Sequence, residues 1–560
     1  MSNDSLINTL KGIVGTRHVL IDAKKTKRFC KGWRSGEGKA LCVVQPGTLV
    51  EQWHALKACV DANKIIIFQA ANTGLTEGST PSGDYDREIV IVSTLRIKAI
   101  HLVKGGEQVV VLPGSTLFTL EKLLRSLKRL PHSVIGASSI GASIIGGVCN
   151  NSGGALVQRG PSYTELSLFG RVGADGKLEL VNNLGIQLGS DPEEILRRVE
   201  LGDFKESDFE SSDKRASDTD YATIVRDVTA DTPARYNTDK RCLYEASGCA
   251  GKLAVFAVRL DTFPMNKQEK TFYVGTNDPK VLTRLRRHIL SECKNLPVSA
   301  EYMHRECFDM AKKYGKDTVL MINWLGTDWL PFLFAWKGAV DARLNKLSLL
   351  RGFTDKFMQM VGSLFPNILP KRLMEFRDKY EHYLILKTHD EGITEAAKHL
   401  KSLFANAEGD YFECTKKEAK LAALNRFAAA GAAVRYQVLH EKKVEDVIPL
   451  DIALRRNDED WFEKLPSDIS DLLVHKVYYG HLTCHVFHQD YIVKKGVDVK
   501  ALKKRLLDLQ DQRRAEYPAE HNVGHLYTAK PDLAEFYQSI DPTNSLNPGI
   551  GKMSKKQDYA

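Results

Sequence analysis

The stretch Ser133-Val-Ile-Gly-Ala-Ser-Ser-Ile-Gly-Ala-Ser-Ile-Ile-Gly-Gly-Val-Cys-Asn-Asn-Ser-Gly-Gly154, which continues to Gly160, decides the fold of this chain. Seven glycines lie among its small side chains, and no long charged side chain occurs before Arg159. Glycine lets a backbone approach a ligand closely, and successive N–H groups in such a loop can bind an anion, often a phosphate. The second glycine stretch (residues 133–160) therefore predicts an anion-binding loop, with a turn-rich segment of small residues as the alternative.

A first glycine loop of the same character lies upstream, at Gln69-Ala-Ala-Asn-Thr-Gly-Leu-Thr-Glu-Gly-Ser79. It follows directly on a predicted strand at residues 64–68, and a strand that runs into a small-residue loop is a suitable place for a pyrophosphate. The loop matches neither the G-x-G-x-x-G dinucleotide pattern nor the Walker loop, so ordinary NAD and ATP sites are not indicated. The two loops together favour a bound phosphate-containing ligand.

The residues around the loops predict alternating strands and helices, which is typical of an α/β unit. Helical spacing predicts a helix over Leu49–Asp61, and short apolar runs predict strands at 88–93 and 108–112. Residues 190–221 carry many Asp, Glu and Lys among few apolar side chains, so we expect a solvated loop there. Further along, Phe272–Val274 is predicted as a strand and Val281–Leu290 as an amphipathic helix.

The overall composition is that of an ordinary globular protein, and 560 residues suggest two to four domains. The net charge of +9 is modest and does not by itself indicate nucleic acid as a partner. The ten cysteines contain no C-x-x-C pair, which argues against zinc ribbons and a disulfide framework and fits a reducing compartment. We expect no signal peptide at the N-terminus and no membrane-spanning helix.

Several longer motifs carry a resemblance to a known family. They are Val111-Leu-Pro-Gly114, Ser247-Gly-Cys-Ala-Gly-Lys-Leu-Ala-Val-Phe256, Tyr479-Gly-His-Leu-Thr-Cys-His-Val-Phe-His488, Pro518-Ala-Glu-His-Asn-Val-Gly524 and Asp541-Pro-Thr-Asn-Ser-Leu-Asn-Pro-Gly549. With the two glycine segments, they resemble over nearly the whole length the bacterial quinone-dependent D-lactate dehydrogenases. These are respiratory flavoproteins with an FAD domain of the PCMH or vanillyl-alcohol-oxidase type.

The resemblance implies an α+β fold with a two-subdomain PCMH-type FAD-binding domain and an α+β cap domain. The cap would carry a helical, basic membrane-binding insert. The implied boundaries are 1–262 for the FAD domain, 263–316 and 384–510 for the two parts of the cap, 317–383 for the insert, and 511–560 for a C-terminal segment that returns to the FAD domain.

The same resemblance implies which residues contact non-covalent FAD. They are Ala70, Ala71, Asn72, Thr73, Gly74, Gly78, Ser79, Gly136, Ser143, Gly153 and Val255. Some relatives attach the flavin through a histidine of the first glycine loop. Here Ala71 and Asn72 occupy that place, so we expect the cofactor to be bound without a covalent link.

The insert differs in composition from the rest of the chain. It contains Trp324, Trp329 and Trp336, and residues 337–379 hold nine Lys/Arg against four Asp/Glu, an excess of five. Tryptophan favours the headgroup layer, and each basic residue near an anionic surface contributes about 1 kcal/mol. The alternative is an ordinary helical insert whose aromatic side chains pack inward. The resemblance favours an anionic membrane surface, because the related enzymes are peripheral membrane proteins.

Oxidation of a 2-hydroxy acid requires a base poised near neutral pH and a cation for the carboxylate, which histidine and arginine supply. Six of the sixteen histidines lie between residues 475 and 525. By resemblance to related D-2-hydroxy-acid dehydrogenases, His521 is predicted as the base. Arg426 is predicted to bind the carboxylate, with Arg455 and Arg456 as alternatives.

The metal-using relatives also imply that His481, His488 and Glu520 bind a divalent metal, a ligand set that is reasonable chemically. Between the two histidines the chain departs from those relatives, with Thr483-Cys484-His485-Val486 in place of Gly-Asp-Gly-Asn. Metal binding is therefore a hypothesis.

The resemblance thus implies a respiratory flavoenzyme that oxidises D-lactate to pyruvate by hydride transfer to FAD and passes electrons to ubiquinone or menaquinone. It would act as a peripheral protein on the cytoplasmic side of the cell inner membrane, with no nucleic acid partner. The alternatives are another FAD-dependent D-2-hydroxy-acid dehydrogenase or oxidase and, from a different class, a non-catalytic membrane-surface binding protein.

Overall fold

The computed structural model describes residues 1–133, 138, 140–325, 338, 340, 344 and 352–560. Several predicted features lie outside the described residues. They are Gly136 of the second glycine stretch, Trp329 and Trp336 of the insert, and the basic residues Lys337, Arg343, Lys346 and Arg351.

A four-stranded sheet forms the first layer of the N-terminal region. Its strands are β1 (Val19–Leu20), β2 (Cys42–Val44), β3 (Ile65–Gln69) and β4 (Ile89–Ser93), in the order β1-β2-β4-β3. Strands β2 and β3 both run parallel to β4, and their valine and isoleucine side chains are buried. The helix Leu49–Asp61 joins β2 to β3 and confirms the predicted helix. The first glycine loop begins where β3 ends.

An antiparallel sheet of five strands follows. Its strands and those of a small two-stranded ribbon are β5 (Ile100–Val103), β6 (Gln108–Val111), β7 (Arg129–Leu130), β8 (Ser167–Val172), β9 (Leu178–Asn182), β10 (Ala254–Asp261) and β11 (Phe263–Pro264). The sheet order is β5-β6-β10-β8-β9, and β7 pairs with β11. The helices Leu117–Ser126 and Ile144–Cys149 share one buried core with β6 and β10. The second glycine stretch is thereby held against this sheet.

The predicted solvated loop at residues 190–221 is wrong in its first part. A helix runs over Pro192–Leu201, and its Ile195, Leu196 and Val199 are buried. Asp191 caps the helix by accepting a hydrogen bond from the backbone N–H of Glu194 at 2.9 Å. Three apolar side chains on one helical face suffice to dock a helix that is otherwise charged.

A seven-stranded antiparallel sheet forms the second half of the molecule. Its strands are β12 (Glu269–Thr276), β13 (Ser299–His304), β14 (His382–His389), β15 (Asp410–Glu413), β16 (Val444–Ala453), β17 (Leu473–His481) and β18 (Val486–Lys494), in the order β15-β12-β14-β13-β17-β18-β16. Alternate side chains enter two separate cores, with Tyr478 on one face and Val477 and Tyr479 on the other.

Helices cover both faces of this sheet. One face packs against Pro279–Ser291, Gly392–Leu403 and Val499–Gln512. The other packs against Arg305–Tyr314, Lys371–Lys379, Lys416–Phe427 and Ala429–Leu439. The predicted α+β class is confirmed.

The other helices lie at the periphery or connect these layers. They are Asn3–Val14, Ala23–Thr26, Tyr221–Arg226, Lys316–Leu325, Phe353–Leu364, Ser467–Ser470 and Pro531–Ile540. Within the described residues, no helix has the length and apolar character needed to cross a membrane.

The end of the chain lies against the first sheet. The backbone N–H of Ile66 in β3 donates to the Ser545 carbonyl at 3.0 Å, and the N–H of Asn547 donates back to the Ile66 carbonyl at 2.9 Å. The Asn547 side-chain amide donates to the Gly78 carbonyl at 2.8 Å and to the Ala250 carbonyl at 2.7 Å. One side chain therefore links the first glycine loop to the turn that precedes β10.

Candidate active site

His481, His488 and Glu520 form a compact group that we call the histidine cluster. One potential ligand atom from each residue lies within 4.8 Å of the others. The two histidines come from the β17–β18 hairpin, where Tyr479 pairs with His488, so both side chains lie on one face of the sheet. Glu520 comes from the C-terminal segment, and its Oε2 lies 3.5 Å from His481 Nε2 and 3.7 Å from His488 Nε2.

Each histidine of the cluster holds a second carboxylate on its other ring nitrogen. His481 Nδ1 lies 2.6 Å from Glu301 Oε1, and His488 Nδ1 lies 3.4 Å from Asp451 Oδ1. Ligating histidines in metal proteins commonly have such a carboxylate on the outer nitrogen, which fixes the orientation of the ring. The geometry of the cluster therefore fits a divalent cation bound at the Nε2 side.

Electrostatics differ sharply between the two histidines. Burial lowers the pKa of His481, but the carboxylates of Glu301 and Glu520 outweigh it and raise the pKa to about 10. Burial lowers the pKa of His488 well below its usual range. Burial would raise the Glu520 pKa, but the nearby His481 holds it well below its usual range. Without a bound metal, these shifts favour a protonated imidazole at His481 and a neutral imidazole at His488.

His521 lies beside the cluster and remains accessible, with 38% of its side chain exposed. Its Nε2 is 3.9 Å from Asp451 Oδ2, and the same oxygen accepts the backbone N–H of Glu520 at 2.6 Å. Asp451 is buried and thus orients His488, Glu520 and His521 together. A histidine backed by a buried carboxylate is a suitable general base.

Arg426 reaches the edge of the cluster from the helix Lys416–Phe427. Its Nη2 lies 3.1 Å from Glu301 Oε2, and its guanidinium lies 4.3 Å above the centre of the Tyr479 ring. Its Nε is buried and has no hydrogen-bond partner among the described residues.

The two alternative arginines are not brought to the cluster. Arg455 Nη1 pairs with Asp231 Oδ1 at 2.6 Å, and Arg456 Nη1 donates to the Ile224 carbonyl at 2.6 Å. Both side chains hold the segment 224–232, so Arg426 is the better placed of the three candidates.

The second glycine stretch touches the cluster directly. A Cβ atom added to Gly153 would lie 2.9 Å from Glu520 Oε1, so only glycine fits there without displacing the carboxylate. Ser143 caps the helix Ile144–Cys149 by accepting a hydrogen bond from the Gly146 N–H at 3.0 Å. Val255 lies in β10, buried in the same core as that helix.

The first glycine loop is fixed by its own side chains and by the C-terminal segment. Asn72 has a positive φ of 52°, its amide donates to the Lys31 carbonyl at 2.9 Å, and its oxygen accepts the Ser79 hydroxyl at 2.9 Å. The residues Ala70, Ala71 and Thr73 are half-buried. Among the described residues, nothing lies within 4 Å of a Cβ added to Gly74 or Gly141, so no described side chain fills the space next to these two glycines.

Comparisons with known proteins identify the family of this chain. A family model described as "D-lactate dehydrogenase, membrane binding" matches residues 271–559. The chain is 60% identical over 559 residues to the quinone-dependent D-lactate dehydrogenase of Escherichia coli (strain K12), covering 100% of this chain and 98% of the relative. The chain belongs to the quinone-dependent D-lactate dehydrogenase family. The relative of the same name from Haemophilus influenzae is 54% identical over 563 residues, with 100% of both chains covered.

The fold of this chain resembles that of a solved structure of p-cresol methylhydroxylase with substrate bound. The TM-score is 0.60 at 12% sequence identity, over 98% of this chain and 96% of the other. The predicted PCMH-type fold and the predicted family are both confirmed.

Four residues at the site were not predicted from the sequence. They are Arg235, Glu301, Asp451 and Tyr479. Each acid is flanked by two buried apolar residues of its strand, Ala300 and Tyr302 for Glu301 and Leu450 and Ile452 for Asp451. A buried acid in such a strand requires a partner, and that is the signal that could have identified both.

Proposed function

We propose that this chain oxidises D-lactate to pyruvate with FAD as its cofactor and passes the electrons to a membrane quinone, either ubiquinone or menaquinone. The observation that carries the proposal is the contact between Gly153 and Glu520, which joins the second glycine stretch to the histidine cluster. A cofactor held by the glycine segments would then lie beside the predicted base. Full-length similarity to relatives named for this activity supports the same function.

We assign the pyrophosphate and the ring system of FAD to the two glycine segments, and the unfilled space beside Gly74 and Gly141 supports this assignment. FAD, when bound, supplies the two-electron redox chemistry, and the protein supplies orientation and electrostatics. The residues that would hold FAD are Ala70–Gly74, Gly78 and Ser79 of the first glycine loop, Ser143 and Gly153 of the second glycine stretch, and Val255 of β10. Gly136 belongs to the same proposal on the strength of the family resemblance.

The substrate would be held between the base and the arginine. We assign the removal of the lactate hydroxyl proton to the His521 imidazole, whose protonated form the Asp451 carboxylate, 3.9 Å away, would stabilise. Arg426 lies at the edge of the cluster beside Glu301 and has a buried Nε without a hydrogen-bond partner among the described residues, and we assign it to the substrate carboxylate. Tyr479 supports Arg426 from below through its ring.

A divalent metal is proposed at His481 Nε2, His488 Nε2 and Glu520 Oε2. Two imidazoles and a carboxylate are an accepted ligand set, and the outer carboxylates of Glu301 and Asp451 complete it. A cation there would lower the pKa of a bound hydroxyl group. We expect fully active protein to contain about one equivalent of metal by mass spectrometry, and prolonged dialysis against EDTA to abolish activity. Full activity without a stoichiometric metal would refute this assignment.

An absorbance spectrum of the purified protein tests the main proposal. We expect flavin bands that bleach under anaerobic conditions with D-lactate but not with L-lactate, and rapid reoxidation by a quinone analogue. Bleaching by other D-2-hydroxy acids in preference would favour a related dehydrogenase, and rapid reoxidation by oxygen would favour an oxidase. A protein that carries no flavin would instead support a non-catalytic membrane-surface role.

We further propose peripheral attachment to the cytoplasmic face of the inner membrane, through an anionic surface. The helices Lys316–Leu325 and Phe353–Leu364 expose Trp324 (62%), Phe353 (49%) and Phe357 (49%). Large apolar side chains at such exposure mark an interaction surface. Two of the predicted basic residues contribute less to attraction by an anionic surface, because Arg372 pairs with Glu418 and Arg377 pairs with Asp309.

The double change Phe353→Ser and Phe357→Ser tests the membrane surface. Each phenylalanine contributes about 1.5–3 kcal/mol when fully buried in an apolar layer, so we expect at least a tenfold loss of binding to anionic vesicles. Vesicle co-sedimentation measures this, and the rate with a soluble electron acceptor should not change. The control is Phe427→Ser, a phenylalanine of similar exposure (42%) on another helix. Equal losses for the control and the double variant would contradict the assignment.

A further inference from the structure

Arg235 lies where the second glycine stretch meets the segment that carries Glu520. Its side chain is buried, with 4% exposed. One nitrogen, Nη2, donates to the Gly154 carbonyl at 2.6 Å and also to Glu520 Oε1. Two residues on, the Asn237 side-chain amide donates to the Asn150 carbonyl at 2.6 Å, and its backbone N–H donates to the Pro518 carbonyl at 3.3 Å. Residues 235–237 thus join the two segments twice.

The contacts of Glu520 show what Arg235 does for the histidine cluster. Arg235 takes Oε1, which leaves Oε2 directed at both histidines. The backbone N–H of Glu520 is held separately by Asp451. Since Gly153 packs against the same carboxylate, the guanidinium keeps Glu520 from turning away from the loop or toward His481 alone.

We propose that Arg235 is a positioning residue that couples the second glycine stretch to the histidine cluster through Glu520. It touches neither substrate nor cofactor in this role. Any shift of the glycine stretch on cofactor binding is passed to Glu520 by the shared nitrogen, so flavin and metal binding should support each other. The kinetic part of this inference rests on the proposed function.

The contact chemistry gives the inference a specific signature. Both acceptors use a single nitrogen, so a lysine ammonium can replace much of what the guanidinium does, although it is shorter. A methionine of similar size removes both bonds and leaves Oε1 of the buried Glu520 without its charged donor. Loss of outer-shell partners of metal ligands typically lowers metal affinity or activity by about 10- to 100-fold.

The test compares Arg235→Met and Arg235→Lys in the full-length, flavin-loaded protein, with Arg456→Met as the matched control. Arg456 is also buried, but it donates to the Thr232 and Ile224 carbonyls and not to the cluster. We expect Arg235→Met to lower Mn²⁺ affinity and kcat for D-lactate by about 10- to 100-fold, with little change in KM. Arg235→Lys should recover most of both losses at an equal melting temperature.

Three outcomes would overturn the inference. They are losses in Arg235→Met no larger than in the control, failure of lysine to recover function in a protein that melts normally, and a wild-type protein that neither binds Mn²⁺ nor is bleached by D-lactate. If the wild type binds Mn²⁺ but is not bleached, the proposed function fails. The Mn²⁺ affinities of the variants then still decide the role of Arg235.

Discussion

Replacing His521 with glutamine should lower kcat for D-lactate oxidation by about 10²- to 10⁴-fold while the flavin stays bound. His521 is the one histidine beside the cluster, within the described residues, that is accessible and also held by a buried carboxylate. Glutamine preserves the polar character and approximate size of the side chain but cannot accept the substrate proton. Anaerobic bleaching of the flavin by D-lactate, followed by stopped-flow absorbance, measures the chemical step directly.

His475→Gln is the matched control for this change. His475 lies on the same strand as His481, and its side chain is 32% exposed, close to the 38% of His521. Its Nδ1 pairs with Glu306 at 2.6 Å, away from the cluster. We expect its rate to stay within about twofold of the wild type, as for surface substitutions away from a functional site. A normal rate in His521→Gln, or equal losses in both variants, would show that the proton leaves by another route.

Local patterns predict most of the secondary structure of this chain, because they are set by neighbours in sequence. Helix Leu49–Asp61 shows this, since Thr48 caps it and its apolar side chains recur at helical spacing. The composition of residues 190–221 does not indicate helix Pro192–Leu201, because only three of its side chains are buried and many residues around them are charged. The cap at Asp191 and the proline at the first helical position were the local signals for it.

The site is predictable only where a local element brings its residues together. His481 pairs with Val486 across the β17–β18 hairpin, which puts His488 on the same face of the sheet. A spacing of seven residues within one hairpin therefore predicts that the two histidines are neighbours. Arg235, Glu301 and Asp451 come from three distant segments. Only tertiary packing places them at the cluster, and no spacing in the sequence indicates that they meet. The domain boundaries also remain a prediction.

Replacing Lys252 with methionine should destabilise the protein by about 3–5 kcal/mol, because it leaves a buried carboxylate without its cation. Lys252 and Asp541 are both fully buried, with Nζ 3.4 Å from Oδ2, and the same ammonium donates to Asn544 Oδ1 at 2.6 Å. Burial lowers the pKa of Lys252 to about 8, and the Asp541 carboxylate opposes that shift. Urea denaturation and the melting temperature measure the loss.

Loss of the Lys252–Asp541 pair should also affect the first glycine loop. Asp541 accepts the backbone N–H groups of Ser545 and Leu546, and this turn delivers Asn547 to the Gly78 and Ala250 carbonyls. Lys252→Met should therefore also release flavin more readily, which gel filtration followed by absorbance detects. Loss of stability without any loss of flavin would show that the buried pair does not support flavin binding.

Two further variants distinguish an unpaired buried charge from the loss of a lysine as such. Lys57→Met removes an exposed lysine that pairs with Asp61 at 2.9 Å, and we expect a loss below about 1 kcal/mol. The double change Lys252→Met with Asp541→Asn removes both charges and should recover part of the stability, because no carboxylate is then left unpaired in the interior. If the double variant is less stable than Lys252→Met alone, the backbone bonds of Asp541 matter more than its charge.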